Sequence, residues 1–297
     1  MPRDLSEVLH YFMPELGHEE GSPAMLGPAA PARTEDVRPG LPRESPMRVR
    51  PTSGRATQEA RRTARKNLSL LPIVTMPIGD GDVVRAAFAW NLAVEVARLG
   101  GRAVLITPDR DDPSPLWPEA GIGPLGAELM PAPARDLTSL YRTAVDTAVS
   151  RADGATDGGL VLVHVPPEWL HNPGSGSPLL RWTLLFTTSH AQDLRETYAI
   201  AKLVLGSNPQ AQVGITIHGA RGRAEAEAAF SRLAQAVQRC LSRDLLSYGL
   251  LVDDLHVYRA IVAQRPIGLE HPQSPAARAL RDVAQMLLDD ARKHTLA

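Results

Sequence analysis

The segment from residue 76 to residue 109, on which the predicted fold depends most, reads MPIGDGDVVRAAFAWNLAVEVARLGGRAVLITPD. Apolar runs stand at its two ends, and between them a loop with two glycines leads into a long amphipathic segment that Gly100 and Gly101 terminate. This order of strand, loop, helix and strand is typical of a P-loop. A working P-loop also needs a lysine for the phosphates and a Ser or Thr hydroxyl for Mg²⁺.

The same alternation of apolar runs and amphipathic segments continues to the end of the chain. The predicted strands are 70–76, 103–107, 160–165, 184–188, 212–217 and 248–252. The predicted helices are 83–99, 136–150, 191–205, 223–241, 254–263 and 275–292. Short apolar strands between helices indicate a parallel sheet that is covered on both faces. We therefore predict a doubly wound, mostly parallel α/β domain over residues 68–297, with the last helix packed against the sheet.

Composition and charge exclude several classes of protein. The chain has 32 Lys and Arg against 33 Asp and Glu, so it does not have the charge of a dedicated nucleic-acid binder. No apolar run approaches the roughly 20 residues that span a bilayer, and the N-terminus lacks the features of a secretory signal. The sequence predicts a cytoplasmic protein. Its single cysteine, Cys240, excludes a disulfide framework and is expected to be a small apolar residue of a helix.

The N-terminal region differs from the predicted domain in its composition and hydrophobic pattern. Residues 1–17 contain a short amphipathic helical pattern formed by Leu5, Val8, Leu9, Phe12, Met13 and Leu16. At about three turns it is too short to be stable alone. Residues 18–54 are rich in proline and have no hydrophobic period, which predicts a disordered linker. We interpret residues 4–16 as a helix that docks into a groove of a partner protein, and the alternative is that it folds back on its own domain.

Residues 55–67 form a basic helical segment. Its cations are Arg55, Arg61, Arg62, Arg65 and Lys66, against a single acidic residue, Glu59. One reading is a solvated helix face. The other is a contact with an acidic partner, DNA or anionic lipid.

Residues 76–109 resemble the deviant Walker A region of the MinD, ParA and FlhG ATPases, in which a GKGGVGK[ST] loop leads into a helix that contains Asn-Leu-Ala. Alignment on Asn91-Leu92-Ala93 places Gly79 and Gly81 on loop glycines. The residues at the signature lysine, the last glycine, the P-loop lysine and the Mg²⁺-binding Ser or Thr are then Asp80, Val84, Arg85 and Ala86. Residues 67–101 contain no lysine, so no change of register restores one.

The other nucleotide motifs of that family are altered in the same way. Asp109 is one surviving carboxylate of an Asp-x-Asp pattern after the second strand. His164 in LVLVHVPPE stands at the position of the Mg²⁺-associated aspartate, and His218 at the position of an asparagine that contacts adenine. The segments 184–204 and 246–288 resemble FlhG proteins in particular, and the whole resemblance covers residues 68–290.

The resemblance implies a MinD-like P-loop fold with a degenerate nucleotide site. Loss of the lysine, the hydroxyl and the carboxylate removes most of the charge stabilisation of phosphoryl transfer. We therefore expect no ATP or Mg²⁺ cofactor, and a pseudo-ATPase that acts by protein contact in a motility, polarity or division apparatus. It would form a homodimer or pair with an active paralogue, and be recruited to a pole or a membrane-associated assembly.

Three alternatives stay open at this point. The first is an ATP-dependent switch ATPase in which Arg85 takes the role of the lysine. The second is an adaptor that contacts DNA or membrane through residues 55–66. The third is a metal site formed by Asp109, His164 and His218 at the ends of neighbouring strands, which is disfavoured because isolated histidines at strand ends are more often structural or surface residues. Ser175, in HNPGSGSP (171–178), is expected to lie in a flexible loop.

Overall fold

The computed structural model describes residues 70–109, 117–153, 155 and 158–296, with side chains as far as residue 293. The predicted docking helix, linker and basic segment of residues 1–67 lie outside the described residues, and they stay predictions.

Within the described residues the strands are β1 (Ile73–Pro77), β2 (Arg102–Pro108), β3 (Gly121–Ile122), β4 (Glu128–Ala132), β5 (Gly159–Val165), β6 (Trp182–Thr187), β7 (Gln212–Ala220) and β8 (Leu246–Val252). The α-helices are α1 (Val83–Arg98), α2 (Leu137–Ala152), α3 (Ala191–Ser207), α4 (Arg223–Leu241), α5 (Leu255–Val262), α6 (Ile267–Glu270) and α7 (Pro275–Leu296). Short 3₁₀ helices span Pro124–Gly126, Pro167–His171 and Gly174–Arg181. All six predicted strands and all six predicted helices are confirmed. The additional elements β3, β4 and α6 are short.

The eight strands form one sheet in the order β3-β4-β2-β5-β1-β6-β7-β8. Only the two-residue strand β3 runs antiparallel to its neighbour, and the other pairs are parallel. The prediction of a mostly parallel, doubly wound sheet is therefore confirmed. Because the strands are parallel, the carboxyl ends of β1, β2, β5, β6 and β7 meet at one edge, which is where α/β proteins place their sites.

The sheet separates two apolar layers. On β5, which is buried along its whole length, Leu160 and Leu162 belong to the layer with α1 and α7, while Val161 and Val163 belong to the layer with α2, α3 and α4. This alternation follows from the two-residue period of a strand with helices on both faces.

The final helix α7 packs against the sheet, as the sequence predicted. Its apolar residues Leu280, Val283, Leu287 and Leu288 are at most 2% exposed. Within the described residues, no helix combines the length and the apolar character that would let it cross a membrane.

The expectation for the HNPGSGSP segment is wrong. Ser175 lies in the 3₁₀ helix Gly174–Arg181, where Gly176, Leu179 and Leu180 are buried. The segment packs on the first turn of α2, so tertiary contacts override a composition that is typical of loops. The expectation for Cys240 is also only half right, because it lies in α4 but is exposed.

A bidentate ion pair joins α2 to β4 and should make stability depend on pH. Arg151 donates from Nε and Nη2 to the carboxylate of Glu128 at 2.9 and 2.7 Å. This hydrogen bonding holds the pKa of Glu128 below its usual value. Because the folded pKa is lower than the unfolded pKa, the contribution is complete above the unfolded pKa and is lost as the pH falls through the folded pKa.

We therefore expect Glu128→Gln to lower the free energy of unfolding by about 1 kcal/mol at pH 7, since the pair is partly screened by solvent. Urea titrations from pH 7 to pH 3 should show the difference from the unaltered chain shrinking once the pH falls below about 4. A difference that is the same at both ends of this range would contradict the assignment.

Candidate functional site

The loop after β1 ends at Asp82, whose carboxylate caps the following helix α1. Asp82 is the N-cap of α1, and its Oδ1 accepts a hydrogen bond from the backbone N–H of Arg85 at 2.9 Å. The backbone N–H of Asp82 itself donates to the carbonyl of Gly79 at 3.1 Å. The helix N-terminus, whose free N–H groups and dipole attract anions, is therefore occupied by a carboxylate from within the loop.

The two glycines of this loop are not required by its conformation. Neither Gly79 nor Gly81 has a positive φ angle. A Cβ atom added to either of them would meet no atom within 4 Å. An ordinary side chain is therefore sterically compatible with both positions, whereas a phosphate-binding loop depends on glycine for close backbone approach.

Arg85 and Ala86 lie in the first turn of α1. The Nε of Arg85 is 3.1 Å from Oδ2 of Asp82, and the arginine side chain is only 15% exposed. Its guanidinium is thus paired with the carboxylate that caps its own helix. Ala86 is completely buried and is part of the core, so it contributes no hydroxyl at this edge of the sheet.

His164, near the carboxyl end of β5, is tied to the loop after β1. It is 4% exposed, and its Nε2 lies 2.9 Å from the backbone carbonyl of Ile78. Since a carbonyl can only accept, Nε2 must carry the proton. The ring also contacts the indole of Trp117, with ring centroids 5.2 Å apart. His164 therefore fills the edge of the sheet between β1 and β2 together with an aromatic side chain.

His218 lies in β7 and its ring meets the edge of Phe88 at 5.3 Å between centroids. Burial, together with the nearby charge of Arg85, lowers the pKa of its imidazole to about 4, and Asp193 only partly opposes this. The ring is therefore neutral at pH 7.

Asp109, His164 and His218, the candidate metal ligands, do not lie together in the structure. Asp109 follows β2 and His164 belongs to β5, which are neighbouring strands, but β1 and β6 separate β5 from the strand of His218. The expectation of three neighbouring strands is wrong, because strand order in the sheet does not follow the order along the chain. In the described part of the chain, no three His, Cys, Asp or Glu residues are grouped so that they could hold a metal ion.

Sequence reasoning missed two residues of this edge, Asp82 and Trp117. Asp82 carries a usable signal, because an Asp directly before a helical pattern is a standard N-cap. Trp117 carries none, since its contact with His164 exists only after β2, β4 and β5 have paired.

Capping by Asp82 gives a testable effect on stability. Asp82→Ala is expected to lower the free energy of unfolding by about 1 kcal/mol, whereas Asp82→Asn should lower it by less because asparagine also caps helices. Urea unfolding followed by circular dichroism measures both. Asp136→Ala removes the N-cap of α2 and serves as a matched control of similar size. Equal losses for the Ala and Asn variants of Asp82 would show that capping is not its role.

Strand order, helix arrangement and the position of the loop after β1 together define a P-loop NTPase-like fold. The chain is similar to the MinD cell division protein of Aquifex aeolicus, with 15% identity over 73% of this chain and 97% of that one and a TM-score of 0.50. It is similar to a chain of the MinC:MinD cell division protein complex of the same organism, with 16% identity over 73% and 96% and a TM-score of 0.52.

A ParA family ATPase from Chlorobium tepidum matches with 14% identity over 73% of this chain and 99% of that one and a TM-score of 0.51. No family model matches the chain, and no curated protein matches its sequence. The structural neighbours are thus MinD- and ParA-type ATPases, and at these identities they establish the fold alone.

Proposed function

We propose that this chain is a MinD/ParA-like, FlhG-related protein with a degenerate nucleotide site, which acts through protein contacts instead of ATP hydrolysis. The observation that carries the proposal is the pairing of Arg85 with Asp82 at the start of α1. The cation at the P-loop lysine position is neutralised by its own chain, and the same carboxylate covers the helix N-terminus.

The second support is the set of groups that Mg²⁺ would meet. Mg²⁺ is a hard cation that prefers oxygen ligands. At the position of the family's aspartate stands the ring of His164, whose Nε2–H is already donated to a carbonyl, and at the position of the hydroxyl stands Ala86. The residues present therefore do not fit Mg²⁺ and ATP.

The third support is the charge of the loop itself. Asp80 is exposed next to Asp82, so two carboxylates stand where phosphates would have to approach. Negative charges beside the loop disfavour binding of an anion, and the N-terminal dipole of α1 already faces the carboxylate of Asp82. Phosphoryl transfer depends almost entirely on positioning and charge stabilisation, and this site supplies neither.

Binding of a fluorescent ATP analogue with Mg²⁺ to the full-length chain tests the proposal. We expect no binding up to millimolar nucleotide, with a MinD ATPase as the positive control. The rival reading is an ATP-dependent switch that uses Arg85, although a planar guanidinium is not equivalent to a compact ammonium. Micromolar, Mg²⁺-dependent binding that disappears in Arg85→Ala but survives in Arg142→Ala, which removes an exposed cation of α2, would establish the rival.

By analogy with its structural neighbours, the proposed setting is the spatial organisation of a motility, polarity or division apparatus, an inference from fold similarity. That MinD is found in a complex with MinC supports a protein partner for this chain as well. Residues 4–16 are the proposed partner-docking segment, and a homodimer or a pair with an active paralogue is the proposed assembly. Sedimentation of the full-length chain, alone and mixed with such a paralogue, distinguishes these assemblies.

The basic segment 55–66 provides a second candidate contact, with DNA or anionic lipid. Such binding would weaken steeply with salt because counterions are released. Co-sedimentation with duplex DNA or anionic vesicles at 50 and 200 mM salt, roughly the range over which such contacts lose most of their affinity, measures this directly. Binding that persists when the five cations are replaced by alanine would exclude the segment as the contact.

A further inference from the structure

Two polar atoms on one side of β7 have no hydrogen-bond partner among the described residues. They are Oγ1 of Thr216 and Nε2 of His218. Thr216 is completely buried. Because the two residues are two positions apart on one strand, their side chains leave the same face of the sheet. It is the face toward α1, where Phe88 meets the His218 ring.

A buried hydroxyl without a partner is rare in native proteins. Nearly all such groups bond to protein atoms or to ordered water, because an unsatisfied one weakens folding roughly tenfold or more. Buried threonines of β1 and β6 follow the rule. Oγ1 of Thr75 donates to the carbonyl of Leu179 at 2.6 Å, and Oγ1 of Thr183 donates to that of Leu180 at 3.0 Å. Thr216 is as deeply buried as both, so it needs an acceptor or donor of its own.

The two atoms do not bond to each other, so a small molecule that lies between them can supply a partner to both. The Cα atoms of residues i and i+2 of a strand are about 6.6 Å apart, and side chains on the same face at this spacing can contact one shared molecule. A water can also donate to one group and accept from another, which suits a rotating hydroxyl and a neutral imidazole. Arg85, whose charge acts on His218, is a third polar group close by.

We propose that a buried water molecule bridges Thr216 and His218 between β7 and α1, beside Phe88. The water is a structural part of the fold, since it satisfies two groups that would otherwise oppose burial. It gives β7 a polar connection on the side of the sheet where the candidate site lies.

Thr216→Val in the full-length chain tests the proposal through the sign of its effect. Loss of a hydroxyl that holds a water should lower the urea midpoint, with the unfolding equilibrium constant rising about tenfold. Thr183→Val is the matched control, because it removes an equally buried hydroxyl whose partner is known, and it should lower the midpoint as well. A higher midpoint for Thr216→Val would mean that the hydroxyl is buried without any partner, and it would overturn the proposal.

Coupling to His218 supplies a second measurement. If both residues hold the same water, His218→Phe should have a smaller effect on the urea midpoint in the Thr216→Val background than alone. Additive effects would separate the two residues and contradict the bridge.

A crystal structure of the unaltered full-length chain decides the matter even if a variant does not fold. Density for a water within hydrogen-bonding distance of Oγ1 and Nε2 would support the proposal. A direct bond between the two side chains, a bond from either to another protein group, or a site without water would overturn it.

Discussion

Replacing Glu95 by alanine is expected to lower the free energy of unfolding by about 2 kcal/mol, because it removes a buried carboxylate whose two arginine partners are only partly screened by solvent. Glu95 lies on α1 and is 1% exposed. Its Oε2 is 3.3 Å from Nε of Arg281 on α7, and its Oε1 is 3.6 Å from Nε of Arg98. Without the carboxylate, the guanidinium groups of Arg281 and Arg98, whose side chains are 36% and 22% exposed, lose the buried anion that they share.

The backbone beside Glu95 adds to the expected loss. A Cβ atom on Gly268 would overlap the carboxylate, so α6 approaches α1 closely at this point. One turn earlier, Oδ1 of Asn91 accepts a hydrogen bond from the backbone N–H of Ile267 at 2.7 Å. Asn91 and Glu95 therefore present two polar groups to the start of α6. Loss of the Glu95 carboxylate is expected to weaken the hydrogen bond between Asn91 and Ile267.

Urea unfolding of the full-length chain measures the effect. Glu227→Ala is the matched control, because Glu227 also pairs with an arginine, at 2.6 Å from Nε of Arg223, but its side chain is 61% exposed. Its removal should change the free energy of unfolding by less than about 0.5 kcal/mol. Similar losses for the two variants would contradict the buried role of Glu95.

Gly176→Ala is expected to lower the free energy of unfolding by about 3 kcal/mol through overpacking. A Cβ atom on Gly176 would lie 2.5 Å from the carbonyl carbon and oxygen of Leu137 and 2.7 Å from the backbone nitrogen of Thr138. These are backbone atoms of the first turn of α2, which the capping box of Asp136 and Ser139 holds in place. No side chain can rotate to relieve the overlap.

At a second glycine, Gly206, the same substitution is expected to stabilise the fold. Gly206 lies near the end of α3, and an added Cβ would meet nothing within 4 Å. Gly206→Ala should therefore raise the free energy of unfolding by about 0.5 kcal/mol, since alanine favours a helix over glycine. Thermal and urea unfolding of both variants should give shifts of opposite sign. Shifts of the same sign would show that contact with α2 does not restrict residue 176.

The sheet could be predicted well because a strand that is covered on both faces appears in the sequence as a continuous apolar run. The run LVLVHV has an apolar residue at nearly every position, as burial on two sides requires. The strand β4, ELMPA, was missed because it is short and contains Pro131, which is uncommon inside a strand. The sequence predicts a loop at Gly176 because glycines and serines are typical of loops, while the contact that orders the segment comes from α2.

The candidate site could be predicted only position by position. The motif alignment placed Arg85, Ala86 and His164 in the sequence, and the structure finds each at the carboxyl edge of the sheet or in the adjoining turn of α1. The partners of Arg85 and His164 could not be predicted. Asp82 contacts Arg85 because it caps α1, whereas Ile78 and Trp117 contact His164 only after the strands have paired. His218 was placed beside His164 for the same reason, since the strand order that separates them is a property of the fold.

The position of β1 in the middle of the sheet governs how the chain can assemble on the ribosome. Ile73 pairs with Val161, which is made 88 residues later. At a synthesis rate of roughly 5–20 residues per second, β1 waits about 4–18 s for that neighbour. During this interval its apolar strand has both edges open, as is typical of slow, non-local topologies. A chaperone that binds extended apolar segments would therefore meet the nascent chain at residues 70–78 before the strand that pairs with β1 has been made.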